Sequence, residues 1–215
     1  MLKSSPYKLA VLAIAIAAFS VVLLAGETRA DEARAGETKA GEATNQVKMG
    51  IESVLNILRD PALKGDEKIP ERRVKLRQAI GEQFDFNEMS RRSLARQWKN
   101  RSAEERTEFV DLFSVLMEKN YVGKIEAYTD EVIKYKKEDI DDDFANVKTV
   151  VVMKRKKEIA INYRLHKVAG KWRVYDVVVK GVSLINTYRQ QFRSIIKRTS
   201  YDELVKILRR KKNEG

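Results

Sequence analysis

The sequence predicts an α+β domain in which helices pack on one face of a four-stranded antiparallel sheet. Two observations predict it. Apolar residues recur at helical spacing from Val47 to about Tyr128, and the pattern then changes to the β-branched runs "EVIKY", "NVKTVVVMK", "KEIAINYRLHK" and "KWRVYDVVVK". The segments between these runs are too short for crossover connections, so neighbouring strands must be antiparallel. Helical spacing returns after Gly181, so helices precede and follow the sheet in the chain.

Lys3 and Lys8 precede "LAVLAIAIAAFSVVLLA", Leu9 to Ala25, whose only polar residue is Ser20. A basic start, an apolar core and the small pair Thr28 and Ala30 make residues 1–30 a secretory signal, with an uncleaved N-terminal anchor as the alternative. Residues 31–45, "DEARAGETKAGEATN", repeat Ala-Gly-Glu, hold no large apolar side chain and read as a disordered tether. No second linker interrupts residues 46–215, which read as a single domain.

Within that domain Val47, Ile51, Val54, Leu55 and Leu58 share a helix face that Pro61 ends. Val74, Leu76, Ile80 and Phe84 follow on a helix with Pro70 in its first turn. Phe86, Met89, Leu94 and Trp98 mark a short amphipathic segment. Ser102 and Glu105 are spaced as a capping box ahead of Phe109, Leu112, Phe113, Leu116, Met117 and Tyr121, a wide stripe of large side chains that continues to Tyr128. The acidic run from Glu138 to Asp143 reads as a charged connector between the first two strands. In the third strand Ile159, Ile161, Tyr163 and Leu165 alternate with Ala160, Asn162 and Arg164, so one of its faces is wet. A helix from Ser183 to about Lys197 and another capped by Ser200 with Glu203 close the chain.

The formal net charge is +12, and the chain beyond residue 30 still carries 40 basic against 30 acidic residues. Such a balance suits an anionic membrane surface or an acidic partner; export argues against nucleic acid. With no cysteine and one histidine, thiol catalysis and most zinc sites are excluded. A chain of this size buries about 70% of its surface on folding, which is enough without disulfides.

The stretch "VYDVVVKGVSLINTYRQQF" raises one catalytic question, because Ser183 follows a strand and a glycine while His166 and Asp176 lie in neighbouring strands. A nucleophile elbow needs a second glycine where Ile185 stands, and a parallel sheet. Ser183 is placed instead to cap the next helix, and strand alternation turns His166 away from Ile161 and Tyr163. No catalytic residue is assigned. The acidic run lacks the glycine and the closing glutamate of a calcium loop, so no metal site is assigned either. The basic end "ILRRKKNEG" suits a helix C-terminus, or a membrane or partner surface.

What remains in excess is bulky apolar side chain. "FDFNEMSRRSLARQWKNRSAEERTEFVDLFSVLMEKNYVGKIEAY", followed by "WRVYDVVVKGVSLINTYRQQF", resembles the MlaC family, the periplasmic phospholipid-binding components of bacterial toluene-tolerance-type ABC transport systems. The likeness runs from about Val47 to Leu208 and rests on the order and spacing of the motifs. Ala95, where such proteins often have glycine, and Thr187, where asparagine commonly precedes the Tyr-Arg pair, depart from it.

The resemblance implies a nuclear-transport-factor-like cone in which a curved sheet and helices enclose an apolar pocket for acyl chains. It implies a monomeric, cofactor-free carrier of phospholipid, or of a hopanoid or other membrane lipid. The partners would be an outer-membrane lipoprotein complex and an inner-membrane MCE-domain protein of an ABC transporter. Expected lining residues on the helices are Phe86, Met89, Leu94, Trp98, Phe109, Leu112, Phe113, Leu116, Met117 and Tyr121. On the strands they are Val150, Val152, Ile159, Ile161, Tyr163, Trp172 and Val174, with Arg189 as a candidate for head-group or partner contact. The rival of a different class is an exported interaction module with a filled core.

Overall fold

The first helix begins under a carboxylate supplied by the sheet. In the computed structural model, which describes residues 41–128, 131–153 and 157–214, helix α1 spans Glu42–Arg59. Its N-cap, Gly41, has no side chain to offer. Glu138 fills the role: its Oε2 accepts a hydrogen bond from the Thr44 amide at 2.6 Å and another from the Thr44 hydroxyl. A carboxylate there also meets the positive end of the helix dipole. A side chain at residue 41 would push the Glu138 carboxylate out of this position, so glycine leaves room for the cap. Ala43 and Thr44 are buried, which moves the start of ordered structure four residues into the segment expected to be tether. The cap comes from a residue 94 positions away, so no local pattern signals it. The signal segment and the tether up to Ala40 lie outside the described residues.

After two short 3-10 turns, Pro61–Leu63 and Asp66–Lys68, comes α2 (Ile69–Gln83). Only Leu76 and Ala79 of α2 are buried, and Val74, expected on its inner face, points to solvent. Leu76 packs with Val122 and Ile125 in a small apolar cluster separate from the main core, and charge adds to the hold on α2. Arg72 and Arg73 both reach Glu126, and Arg77 makes a two-pronged contact with Glu118 at 2.6 and 2.7 Å. Both glutamates belong to α5 (Ala103–Glu126), which opens with the expected capping box of Ser102 and Glu105 and stops two residues short of Tyr128.

Between them the short amphipathic segment from Phe86 to Trp98 forms two helices, α3 (Phe86–Leu94) and α4 (Arg96–Lys99). Ala95 separates them with φ 51° and ψ −119°, territory that a Cβ atom makes costly and glycine occupies freely. The turn brings Trp98 back into the core beside α5.

The sheet is an antiparallel meander, β1 (Val132–Asp141), β2 (Phe144–Val152), β3 (Glu158–Val168), β4 (Lys171–Val179) and the two-residue β5 (Val182–Ser183), paired in chain order. The short fifth strand returns the chain against β4 before α6 (Leu184–Arg198) and α7 (Tyr201–Asn213). The acidic run is strand rather than connector up to Asp141, and the turn is Asp142–Asp143 alone. Lys137 and Lys148 flank Asp139 at 2.5 and 2.8 Å, which compensates part of that charge on the strand. The register shifts between Tyr135 and Lys137 in β1, and again where Tyr175 stands out of the pairing of β4 with β3. Such bulges sharpen strand twist and bend a sheet.

One face of the sheet carries Ala145, Val147, Thr149 and Val151 of β2 with Ile159, Ile161 and Leu165 of β3, all buried. Helices cover that face. Away from α1 the packing is solid and aromatic: Phe109 and Phe113 of α5 stack 6.1 Å apart, and Phe192 meets both edge-on at 5.7 and 5.8 Å. Tyr188 abuts Phe113 and Tyr201 abuts Phe109, which locks α6 and α7 onto α5.

Replacing Ala95 with glycine relieves the positive φ. It is expected to stabilise the domain by about 1 kcal/mol, read as a rise in the urea midpoint at unchanged slope.

Candidate functional site

Two cavities lie where the helices do not fill the space above the sheet. The first, of about 120 Å³, sits between α1 and the sheet. Val47, Ile51, Val54, Leu55 and Leu58 of α1 form its roof, and Ile133, Val151, Ile161, Tyr163 and Val174 its floor. Ile80, Gln83 and Phe84 of α2, with Ile125 and Tyr128 beyond, close the side. Gln83 is its only amide side chain and is itself held at 2.6 Å by Gln46. At Gly50 a Cβ would press into the Gln83 side chain, so glycine lets α1 and α2 approach at this wall.

The Tyr163 phenol of this chamber stays neutral. Burial pushes Tyr163 well above the usual phenol range, with nearby Tyr135 adding to the effect. Tyr135 is pushed up to about 12, first by burial and then by the charge of Glu52 and by Tyr128. Tyr163 thus brings no charge to the chamber at physiological pH.

The second cavity, of about 470 Å³, lies between α2, α3, α5 and the end of α7. Its depth is apolar: Phe86, Met89, Met117, Tyr121 and Val122. Its rim is ionic, formed by Arg77, Asp111, Glu118, Lys119 and Lys212. Arg77 pairs with Glu118, and Lys212 reaches Asp111 at 2.7 Å. Lys119 gathers the carbonyls of Lys211, Lys212 and Glu214 at 2.7 to 2.9 Å, and so caps α7 with a cation. The two cavities share Ile80, Phe84 and Ile125, so the end of α2 is the partition between them. A parallel bridge pairs Phe84 with Val174, and the Asp85 amide bonds the Val174 carbonyl at 2.9 Å.

The residues expected to line one pocket are distributed over four places. Phe86, Met89, Met117 and Tyr121 border the second cavity, and Ile161, Tyr163 and Val174 the first. Leu94, Trp98, Phe109, Leu112, Phe113, Leu116, Ile159 and Trp172 are buried in packed core and border neither. Val150 and Val152 lie on the opposite sheet face, where their cross-strand neighbours Ala160 and Glu158 are exposed; Val151 is the residue that points in. Runs of valine hide parity, because each member suits either face. Arg189 is not at a cavity mouth: its Nε donates to the Arg92 carbonyl at 2.8 Å and ties α6 to α3. The roof on α1 was legible as an apolar helix face, yet nothing local shows that the face is left partly uncovered. The rim cations were missed because three separate helices supply them.

Ser183, His166 and Asp176 are not assembled. The Ser183 hydroxyl accepts the Asn186 amide at 3.0 Å as N-cap of α6 and donates to Asp176 at 2.7 Å. Asp176 is further engaged by the Ile185 amide and by Arg164. His166 lies 3.0 Å from Asp85 instead, on the other sheet face from Ile161 and Tyr163, between Phe144 and Tyr175. Among the described residues no group of three or more histidine, cysteine or acidic side chains is placed to hold a metal ion, and no helix is long and apolar enough to cross a membrane.

The model of the MlaC protein family matches residues 48–210. The chain belongs to the MlaC family. It is 27% identical over 113 residues to the intermembrane phospholipid transport system binding protein MlaC of Haemophilus influenzae. That match takes in 50% of this chain and 53% of the relative, so the chain spans about half the length of the curated MlaC protein it matches. A solved structure, the phospholipid-binding protein from Ralstonia solanacearum in complex with a phospholipid, superposes with a TM-score of 0.72 at 27% identity. It covers 81% of this chain and 98% of that one. The positive φ at Ala95 gives a physical reason for the glycine that the MlaC resemblance leads one to expect at that position.

Two tests address the site's supports. Ser183→Ala removes a cap and one partner of Asp176, and is expected to cost about 1 to 2 kcal/mol in urea denaturation. Lipid content of the purified protein should not change. For Tyr135 the folded phenol is the weaker acid, so its contribution to stability is whole below about pH 10 and is lost as pH rises toward 12. Urea midpoints measured across that window should fall, and Tyr135→Phe should flatten the fall.

Proposed function

We propose that this chain is an exported phospholipid carrier. The observation that carries the reading is the pair of apolar cavities meeting at Ile80, Phe84 and Ile125, one of them with an ionic rim. This is the shape of an amphiphile: apolar depth and a charged mouth. The acyl chains run past Phe86, Met89 and Met117 toward the partition and the chamber under α1. The phosphate lies at the rim near Arg77, Lys119 and Lys212, exchanging with the carboxylates that hold Arg77 and Lys212 and with the carbonyls that hold Lys119. Methionine and aliphatic linings repack around chains of unequal length, which suits a mixed lipid cargo.

The physical need for such a carrier is large. Each methylene moved from water to an apolar site is worth about 0.8 kcal/mol, so two long chains crossing an aqueous compartment bare face a penalty on the order of 20 kcal/mol. Cavities that lie behind α1 and α2 imply that these helices move to admit cargo. The α2 helix is suited to moving, since a small apolar cluster of Leu76 with Val122 and Ile125, supplemented by ion pairs, holds it against α5 apart from the main core. Of the two similar proteins, one belongs to an intermembrane phospholipid transport system and the other was solved with a phospholipid bound, which supports the cargo class. On this reading residues 1–30 direct export to the periplasm and residues up to Ala40 form a tether. The carrier then works as a monomer between an outer-membrane lipoprotein complex and an inner-membrane MCE-domain protein of an ABC transporter. No step in it needs a catalytic group or cofactor.

Native mass spectrometry after detergent-free purification, with lipid extraction, tests the cargo. Stoichiometric diacyl phospholipid is expected; hopanoid in its place changes the cargo, and a lipid-free mass with no uptake from vesicles refutes the carrier. Ile51→Trp fills the chamber under α1 and is expected to lower bound lipid at least tenfold while the fold, followed by circular dichroism, persists.

A further inference from the structure

The two C-terminal helices hold a concentration of positive charge, part of which neither the cavities nor the fold uses. From Leu184 to Asn213 there are nine basic residues against Asp202 and Glu203. Some are occupied: Arg209 pairs with Glu108, Lys212 with Asp111, Lys206 with Glu203, and Arg189 is turned inward to Arg92. Arg193, Lys197, Arg210 and Lys211 are exposed and, among the described residues, meet no carboxylate within ion-pair distance. Packing Leu184, Tyr188 and Phe192 of α6 and Tyr201, Leu204 and Leu208 of α7 into the core forces these cations outward. None of the exposed large apolar residues lies on either helix.

We infer that this face docks on the surface of an anionic phospholipid bilayer. A specific protein partner would be met by an apolar or aromatic centre with a polar rim, and this face has no such centre. It offers dispersed cations on two neighbouring helices, which fit a laterally mobile array of phosphates better than a fixed set of carboxylates. Basic residues act on anionic lipid additively and within about a Debye length, roughly 8 Å at physiological salt. The position of the face gives the contact a use. Lys212 stands both at the end of α7 and on the rim of the larger cavity, beside Lys119, which holds the end of α7 in place. Docking through α6 and α7 brings the end of α7, where Lys212 begins the rim, close to the bilayer surface. Only this last step rests on the carrier reading; the charged face stands without it.

The test is vesicle flotation of the protein as exported and processed by cells. It uses phosphatidylcholine vesicles with and without phosphatidylglycerol, at low and high salt. The protein is expected to float with the anionic vesicles only and to be released by salt. R193E/K197E/R210E/K211E should lose at least 100-fold in partitioning. K99E/K134E/K136E/K171E, which changes net charge equally on exposed positions elsewhere, should lose less than fivefold. Absence of binding by the unaltered protein, equal binding to neutral vesicles, or equal loss in both variants would overturn the proposal. Lipid extracted from the same samples separates the two readings: full cargo without flotation leaves the carrier and removes the docking face.

Discussion

The contact between Glu138 and the first turn of α1 is the constraint from which the rest of the architecture follows. A helix laid over a concave sheet must either sink into it or be held above it. Here one end is fixed by a carboxylate from β1 that takes up both polar hydrogens of Thr44. The other end is turned away by Asp60 and Pro61. Between those points α1 spans the sheet as a roof, and the space under it is left open because its side chains are supported at the ends rather than packed through the middle. Burying Ala43 and Val47 secures the near end.

The second helix shows a different balance of forces. Its buried apolar residues are few, so its position against α5 depends on Arg72, Arg73 and Arg77 and their two glutamates as well as on the small cluster of Leu76 with Val122 and Ile125. Partly exposed ion pairs contribute little net stability each, yet they set orientation well when the contact is two-pronged, as at Arg77 and Glu118. An element aligned by charge and only lightly held by burial can separate without dissolving a core. By contrast α5, α6 and α7 are joined by interlocked aromatic rings and form the rigid part of the molecule.

Much of this was legible in the sequence. The change of period near residue 130 marked helices and then an antiparallel meander, and the Ser102 box, the Ser183 cap and the Ser200 cap were readable from spacing alone. Residues separated by long stretches of chain were not. The capping of α1 by Glu138 has no local signature, so the helix seemed to start later than it does. Strand parity failed at Val150 to Val152, where three identical side chains erase the alternation. The cavities were the least legible part, because a stripe of large apolar residues looks the same whether a neighbour fills the space beside it, as at Phe109 and Phe113, or leaves it vacant, as at Met89 and Met117.

The alanine at position 95 carries a meaning about history as well as geometry. A side chain forced into backbone territory that favours glycine persists only where the surrounding fold over-determines the turn and has stability in reserve. The rigid aromatic block behind α3 and α4 supplies that reserve. Lineages carrying such a block can accumulate further costly changes on the mobile side, in the roof and the partition. In this fold, then, the robustness of one half is what leaves the other half free to diverge.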